Sequence, residues 1–430
     1  MGLRDLIYNW LFPQGVPENV KRIDTVRSYR TGAQRPQLKV KWGQVDDNTT
    51  INLIGLIVNR SVSSLFGNGF DVTFPEGSDA QRDYIGAVLD ANREEILFHR
   101  IGLFGAEAGT CYLKVVPGEG LPRLVAIDPA WVEIEADPND FEKVRKYVIQ
   151  YATGDIANKE VIENQGESWL VSDFVSTSKN THWQKVSEVT WPYAWSPLQH
   201  WQNLPSSGVY GEPDITDDVI GLQDKINFVT ANTLKILRYY AHPMRIGRNI
   251  QSQDLIDMGP DRMVRINGTD AAITQLDQLG DLSGSLSVLN VLRQAMFDVT
   301  RTIDITSMSD KLGSLTNFGM RVLFRDAIAK IETKRELYGD AIGVLVEHLL
   351  ELEGLAPTEY EIVWPEVLDK NTAEEIQALQ ADMSVGALSV EGYAEARGIN
   401  FDMEKERLDR QKQGENNIGA MLLSAFNKGQ

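Results

Sequence analysis

The side chains that could carry chemistry are few and poorly spaced for it. A single cysteine, Cys111, excludes an internal disulfide and any zinc site built from cysteines, and the five histidines, His99, His182, His200, His242 and His348, lie scattered along the chain. No Gly-x-x-x-x-Gly-Lys-Ser/Thr run offers a phosphate cradle, and Gly67-Asn68-Gly69 is too short and follows a helical pattern rather than a strand. A Gly-x-Ser-x-Gly elbow, a His-Glu-x-x-His pair and a cysteine with a histidine partner are all missing, so no nucleophile is marked. Asp137-Pro138-Asn139-Asp140 with Glu142 resembles part of a calcium loop but lacks its glycine and its distal glutamate, and reads as a turn. The residues therefore predict no catalytic centre, no cofactor and no metal, and the expectation is a protein that is not an enzyme.

Composition narrows the class further. The chain has 430 residues, of which 42% are hydrophobic, enough for more than one core. Its 61 acidic residues against 42 basic ones leave a formal charge of −19, whereas a protein that grips nucleic acid needs a surplus of cations to displace phosphate counterions. Nothing approaches the roughly eighteen consecutive apolar residues of a membrane helix, and no cationic segment leads into an apolar block and cleavage site. Met1-Gly2 does not read as a myristoylation signal, because position 6 is Leu6 rather than Ser or Thr. The expected product has no membrane association and stays in the cytoplasm where it is made.

Elements that would position any site follow from periodicity. Leu3, Leu6, Ile7, Trp10 and Leu11 give a short helical arm broken at Pro13-Gln14-Gly15. A second helix is predicted from Asn48 or Thr49, with Ile51, Ile54, Val58, Val62 and Leu65 on one face and Gly67 at its end. One helical stretch is expected over 81–108, closed by Gly109, then strands over 111–116 and 121–127 about the turn Pro117-Gly118-Glu119-Gly120. Strands over 131–134 and 144–151 complete an antiparallel α+β region, in which Trp169, Trp183, Trp191, Trp195 and Trp201 are read as sheet packing.

The second half is helical with one interruption. Ile215, Val219, Leu222, Ile226, Val229, Thr233, Ile236 and Tyr240 recur at spacings of four and three, a narrow seam on a long helix begun at Pro213-Asp214 and stopped at His242-Pro243. A compact insert follows, strand-like over 244–246, helical over 252–258, and strand-like over 263–266 and 272–276. The chain then returns as a helix over 285–302 with Leu286, Leu289, Leu292, Met296 and Val299 on one side. The polar run 304–317 is expected to form a loop between two helices. The longest helix carries Phe324, Ile328, Ile331, Arg335, Tyr338, Ile342, Leu345, Leu349 and Leu352, with Gly339 and Gly343 inside it suggesting a bend or a close crossing. Asn371 or Thr372 caps a helix over 373–383, and shorter helical pieces follow over 390–397 and 403–413.

This order resembles the bacteriophage portal family. Phe104-Gly105-Ala106-Glu107-Ala108-Gly109-Thr110-Cys111-Tyr112-Leu113-Lys114-Val115 with Leu124-Val125-Ala126-Ile127-Asp128-Pro129 looks like the family's helix-to-hairpin passage in the wing. Val209-Tyr210-Gly211-Glu212-Pro213-Asp214-Ile215 before Ile220-Gly221-Leu222-Gln223-Asp224-Lys225-Ile226-Asn227 is similar to the opening of the first stem helix. Ala241-His242-Pro243 resembles the exit into the clip, and Gly313-Ser314-Leu315-Thr316-Asn317-Phe318-Gly319 stands where the family has its tunnel loop. The likeness covers about residues 45–355 and is strongest over 206–354. It departs in a short clip and crown without a long C-terminal helical barrel.

The resemblance implies an α+β portal fold with an N-terminal arm (1–41), an α+β wing (42–205), a first stem helix (206–241) and a small α/β clip (242–281). A second stem helix (282–303), a tunnel loop (304–319), a long bent spine helix (320–355) and a helical crown with its tail (356–430) complete it. It further implies a dodecameric ring at one vertex of the virion capsid, in contact with the major capsid protein. Double-stranded DNA would pass through it, a terminase motor would dock on the clip, and head-tail adaptor proteins would replace the motor. The DNA-facing residues would be Asp310, Lys311, Ser314, Thr316 and Asn317, the partner contacts Arg245, Arg248, Asp254, Asp257, Arg262 and Arg265, and the stem seam Ile215, Val219, Leu222, Ile226, Val229 and Ile236. A single-chain helical hairpin, another ring-forming capsid or scaffold protein without a DNA channel, and an enzyme without a recognisable motif stand as the other readings.

Overall fold

A computed structural model describes residues 10–11, 15–41, 46–177, 180–241, 245–248, 272–275, 282–304, 317–367, 372–397, 399, 401, 403–405, 407 and 410. The fold is α+β and divides into a large unit, Met1–Ser314 with Val322–Val367, and a small one, Leu315–Arg321 with Leu368–Gln430. Among the described residues no helix is long and apolar enough to cross a membrane.

Helix α1 (Glu18–Arg30) and helix α2 (Leu53–Phe66) open the large unit. Helix α2 begins at Leu53, several residues later than the Asn48 or Thr49 cap expected. Asn52 Oδ1 accepts from the Gly55 N–H at 2.9 Å, while Asn48 is engaged elsewhere, bonding both the N–H and the carbonyl of Leu38. Its stripe Ile54, Val58, Val62 and Leu65 is buried as expected, and Gly67 ends it. Strand β1 (Asp71–Thr73) leads to helices α3 (Asp79–Ala91) and α4 (Glu94–Ala108), two helices where periodicity suggested one. The break is at Asn92, whose side chain bonds the Val88 carbonyl at 2.8 Å, the Pro122 carbonyl at 2.9 Å and the Leu124 N–H at 2.7 Å. An asparagine that satisfies neighbouring backbone in this way competes with the helix ladder.

Gly109, at φ +84°, turns the chain from α4 into β2 (Thr110–Val116); a side chain there would meet the Gly211 carbonyl at 2.2 Å. Strand β2 pairs antiparallel with β3 (Arg123–Ile127), the expected hairpin. Trp131 lies in a 3-10 turn (Pro129–Trp131) rather than a strand, because Asp128 caps that turn by accepting from the Ala130 N–H. Then come β4 (Val132–Asp137), β5 (Asp140–Thr153), β6 (Ile156–Asn164), β7 (Trp169–Thr177) and β8 (Asn180–Trp191). They form one antiparallel meander in the order β4-β5-β6-β7-β8, of which sequence alone marked only the first two strands. Pro138-Asn139 makes the β4-β5 turn, Asp137 Oδ1 accepting from the Asn139 N–H at 2.8 Å, so the calcium-like run is a turn. Strand β9 (Leu198–Gln202) returns to pair with the other side of β2. Trp169, Trp191, Trp195 and Trp201 are buried in the main core, with Trp183 half-buried under the Lys159 ammonium at 5.8 Å.

Helix α5 (Asp217–Ala241), strands β10 (Arg245–Arg248) and β11 (Ala272–Gln275), and helix α6 (Ser283–Val299) form the next section, β10 and β11 pairing antiparallel. Helix α7 (Asn317–Leu323) and the 29-residue α8 (Arg325–Glu353) follow, separated by a turn at Phe324. Asn317 is therefore the first helical residue rather than part of a loop. In α8, Gly343 admits Tyr360, whose hydroxyl would lie 2.7 Å from an added Cβ, and Gly339 faces Trp364 at 3.4 Å. These glycines make room for the segment that follows the helix. That segment ends in β12 (Glu361–Val363), an unexpected partner for β1. Helices α9 (Thr372–Ser384) and α10 (Val390–Ala396) belong to the small unit.

Two half-buried histidines packed beside the core are held neutral. His200 Nδ1 shares a 3.1 Å hydrogen bond with the Tyr147 hydroxyl, and His348 stacks on Trp195 while the Gln199 amide donates to its Nδ1 at 2.5 Å. Burial lowers both from the usual 6.5 to about 4. Between these limits the unfolded chain binds protons that the folded chain refuses, so stability falls as pH drops through the window. The thermal midpoint is expected to fall from pH 6.5 to 4, and less steeply in a His200→Gln/His348→Gln variant; parallel slopes would show that neither ring titrates.

Candidate functional site

The residues expected to form the stem seam divide between two environments. Ile215, Val219 and Ile226 are buried, Leu222 and Val229 are half-buried, and Ile236 is 38% exposed. Ile215 and Val219, near the start of α5, share a core with Met296 and Phe297 at the end of α6 and with the buried face of α2. The two helices therefore form a hairpin whose base is sealed into the body. Farther along, Phe228, Leu234, Ile236 and Leu237 on α5 and Leu286, Val288 and Val291 on α6 are 38–65% exposed. Leu286 and Val299, expected on the packed side of α6, are also exposed.

Polar side chains lock the base. Gln223 is fully buried; its Oε1 accepts from the Leu53 and Ile54 N–H groups at 3.1 and 3.3 Å, and its Nε2 donates to the Ile51 carbonyl at 2.6 Å. A glutamine of α5 thus satisfies first-turn donors of α2, which have no partner inside their own helix. One turn on, Asn227 Oδ1 accepts from Ile51 N–H at 3.0 Å. Asp224 receives the Tyr29 hydroxyl at 2.6 Å, the Gln37 amide at 2.9 Å and the Arg35 guanidinium at 3.1 Å.

Beneath this lies an ionic joint. The Asp214 carboxylate, fully buried, is 2.7 Å from Lys334 Nζ and 3.0 Å from Lys330 Nζ, and accepts from Ser61 Oγ at 2.7 Å. Its backbone N–H donates to the Ala106 carbonyl at 3.0 Å, and Lys330 also donates to the Thr300 carbonyl at 3.0 Å. This is why α5 starts at Asp217 and not at Asp214: the latter is committed to α2, α4 and α8, and the chain cannot turn helical until it has passed that anchor. Burial alone would raise the carboxyl's pKa, but the two ammoniums and the donated hydrogen bonds together hold it well below the usual carboxylate range. Burial pulls Lys334 below its usual value, with Asp214 opposing the shift. A second network fixes α1, where Glu107 receives Arg27 at 2.8 Å and Arg30 at 2.5 Å, and Arg27 reaches Asp128 at 2.7 Å.

Burial pushes the Cys111 thiol up to about 12, which leaves it protonated and unreactive. Among the described residues no cluster of His, Cys, Asp and Glu could hold a metal ion. A cavity of about 370 Å³ bordered by Val20, Tyr112, Trp131 and Tyr210 includes Glu107, whose carboxylate is already taken by its two arginines.

Of the other expected site residues, Arg245 and Arg248 stand on β10, opposite Gln275 and Ala272. Asp254, Asp257, Arg262 and Arg265 lie outside the described residues, as do Asp310, Lys311, Ser314 and Thr316. Asn317 opens α7. The joint itself was missed from sequence, although Lys330, Lys334 and Tyr338 recur every four residues on the apolar face of α8, and a lysine on such a face signals a buried partner. No family model matches the chain, and no curated protein matches it.

Asp214→Leu leaves two ammoniums without a counter-charge and is expected to cost about 3–5 kcal/mol in urea unfolding. Adding Lys334→Met should restore part of that loss; strictly additive effects would show that the pair does not interact.

Proposed function

We propose that the chain is the subunit of a ring-shaped portal, a channel at one capsid vertex through which double-stranded DNA is packaged and ejected. The observation that carries this reading is the α5–α6 hairpin, sealed at its base and apolar on surfaces that the chain itself leaves uncovered. Apolar faces on neighbouring helices seek cover, and a head-to-tail interface that closes on itself covers them in every copy at once. The short β10–β11 pair at the far end of the hairpin takes the place of the clip, where the terminase motor and later the head-tail adaptors would dock. Segment 304–319 with α8 takes the places of tunnel loop and spine, and the α+β body that of the wing, which would face the major capsid protein.

The charge supports a conduit rather than a clamp. Binding to DNA strengthens with each phosphate neutralised, so a ring of subunits each carrying −19 lets the duplex slide. Asp310, Lys311, Ser314, Thr316 and Asn317 are the residues we assign to the DNA-facing constriction.

Native mass spectrometry should find an assembly near twelve times 48.1 kDa, with a central hole in negative stain. Leu237→Glu with Val291→Glu should leave a folded monomer; a monomeric native chain, or a ring without a hole, would reject the portal reading. In an infectivity assay Lys311→Glu should impair DNA packaging or retention, and unchanged values for both would remove that residue from the constriction.

A further inference from the structure

A groove of about 360 Å³ lies between the start of α4 and the β2–β3 hairpin, in the α+β body and on elements outside the α5–α6 hairpin. Three arginines, Arg93, Arg100 and Arg123, line it together with the aliphatic side chains of Ile96 and Leu121, and the lining contains no acidic residue. All three arginines are exposed, and among the described residues none has a side-chain ion pair or hydrogen bond. What sets these three apart is that they gather in one groove whose lining holds no carboxylate, on a chain that carries 61 of them. The acids closest in sequence crowd each other instead: burial, and then the carboxylates of Asp90, Glu95 and Asp71, raise the pKa of Glu94.

Two further features mark the groove. Ile96 is 56% exposed and Leu121 44%, so apolar surface sits beside the cations. Arg93 adopts φ +53°, a left-handed conformation that costs a non-glycine residue on the order of 1 kcal/mol, at the position before α4 where no side chain caps the helix. Its carbonyl accepts from Ile96 and Leu97 N–H, so the strained residue is built into the first turn.

We propose that this groove docks an acidic polypeptide segment of a partner protein, one in which carboxylates flank an aliphatic side chain. Carboxylates pair bidentately with guanidinium groups, and the aliphatic residue covers Ile96 and Leu121. Nucleic acid fits less well. Asp90, Glu95 and Glu119 are exposed and lie within two residues, along the chain, of lining residues Ala91, Ile96 and Leu121, which disfavours a long polyanion, and the apolar side chains are aliphatic, offering bases no aromatic ring to stack on.

Fluorescence anisotropy on the full chain tests this with a fluorescein-labelled peptide centred on Glu-Asp-Leu-Glu-Glu, its Gln/Asn counterpart, and an oligothymidylate. The acidic peptide should bind saturably, more weakly as salt rises. Binding should fall at least about tenfold in an Arg93→Asn/Arg100→Gln/Arg123→Gln variant and in Arg100→Glu alone. These side chains hold nothing in the fold, and asparagine tolerates the left-handed backbone, so the melting midpoint should not fall. Absent binding, equal binding of the neutral peptide, or unchanged affinity in the variants would overturn the proposal. Oligothymidylate binding lost with the same substitutions would overturn it too, assigning the groove to nucleic acid.

Discussion

The structure depends on one buried carboxylate. Asp214 stands where the α+β body becomes helical, and the groups that touch it come from α2, α4, α8 and Asn203 just after β9, with Lys330 extending the contact to the end of α6. Moving a carboxylate and an ammonium out of water costs several kcal/mol each, so the joint is a modest source of net stability at best. What it supplies is geometry. Hydrophobic faces tolerate sliding, whereas a carboxylate accepting from two lysines and a serine tolerates almost none. The positions of α5 and α6 relative to α8 are therefore set at their base, and Gln223, Asn227 and Asp224 repeat the logic over the next turns.

That division explains which parts were readable from the residues. Long amphipathic helices announced themselves because burial on one face imposes a period of 3.6, and α2, α5, α6 and α8 were all foreseen. Their starts were misplaced wherever a distant group decides them: Gln223 lies far along the chain from the α2 donors it satisfies, and Asp214 is withheld from α5 by lysines of α8. Strands β6, β7 and β8 went unread for a different reason. Their meander is exposed along much of its outer face, where Val186 and Val189 are 66% and 61% exposed, so clean alternation of apolar and polar residues is lost. The β1–β12 pair joins residues nearly 300 positions apart and has no local signature at all.

Acidity and arginine placement belong to the same argument. A chain at −19 repels copies of itself and polyanions alike, so any association must be driven by buried apolar area or by local cations. The hairpin offers the first and the Arg93, Arg100 and Arg123 groove the second, on elements well separated in sequence. A surface that is acidic on average yet keeps three unpaired arginines together would discriminate between ligands: a short acidic segment meets the arginines alone, whereas a long polyanion also meets the overall negative charge.

The hairpin also constrains how the subunit is built to work. Strands of four residues, as β10 and β11 are, bury too little to be independently stable, and the outer turns of α5 and α6 expose valines and leucines that an isolated chain gains nothing by exposing. Among the described residues, the buried charges and amides of this region, Asp214, Gln223, Asn227, Lys330 and Lys334, lie at the base. Contacts within the chain thus hold the base more fully than the outer turns. In the ring we propose, this gradient would be useful: subunits would fold first around the Asp214 joint and complete their outer helices on one another, so that assembly and ordering would become a single cooperative step.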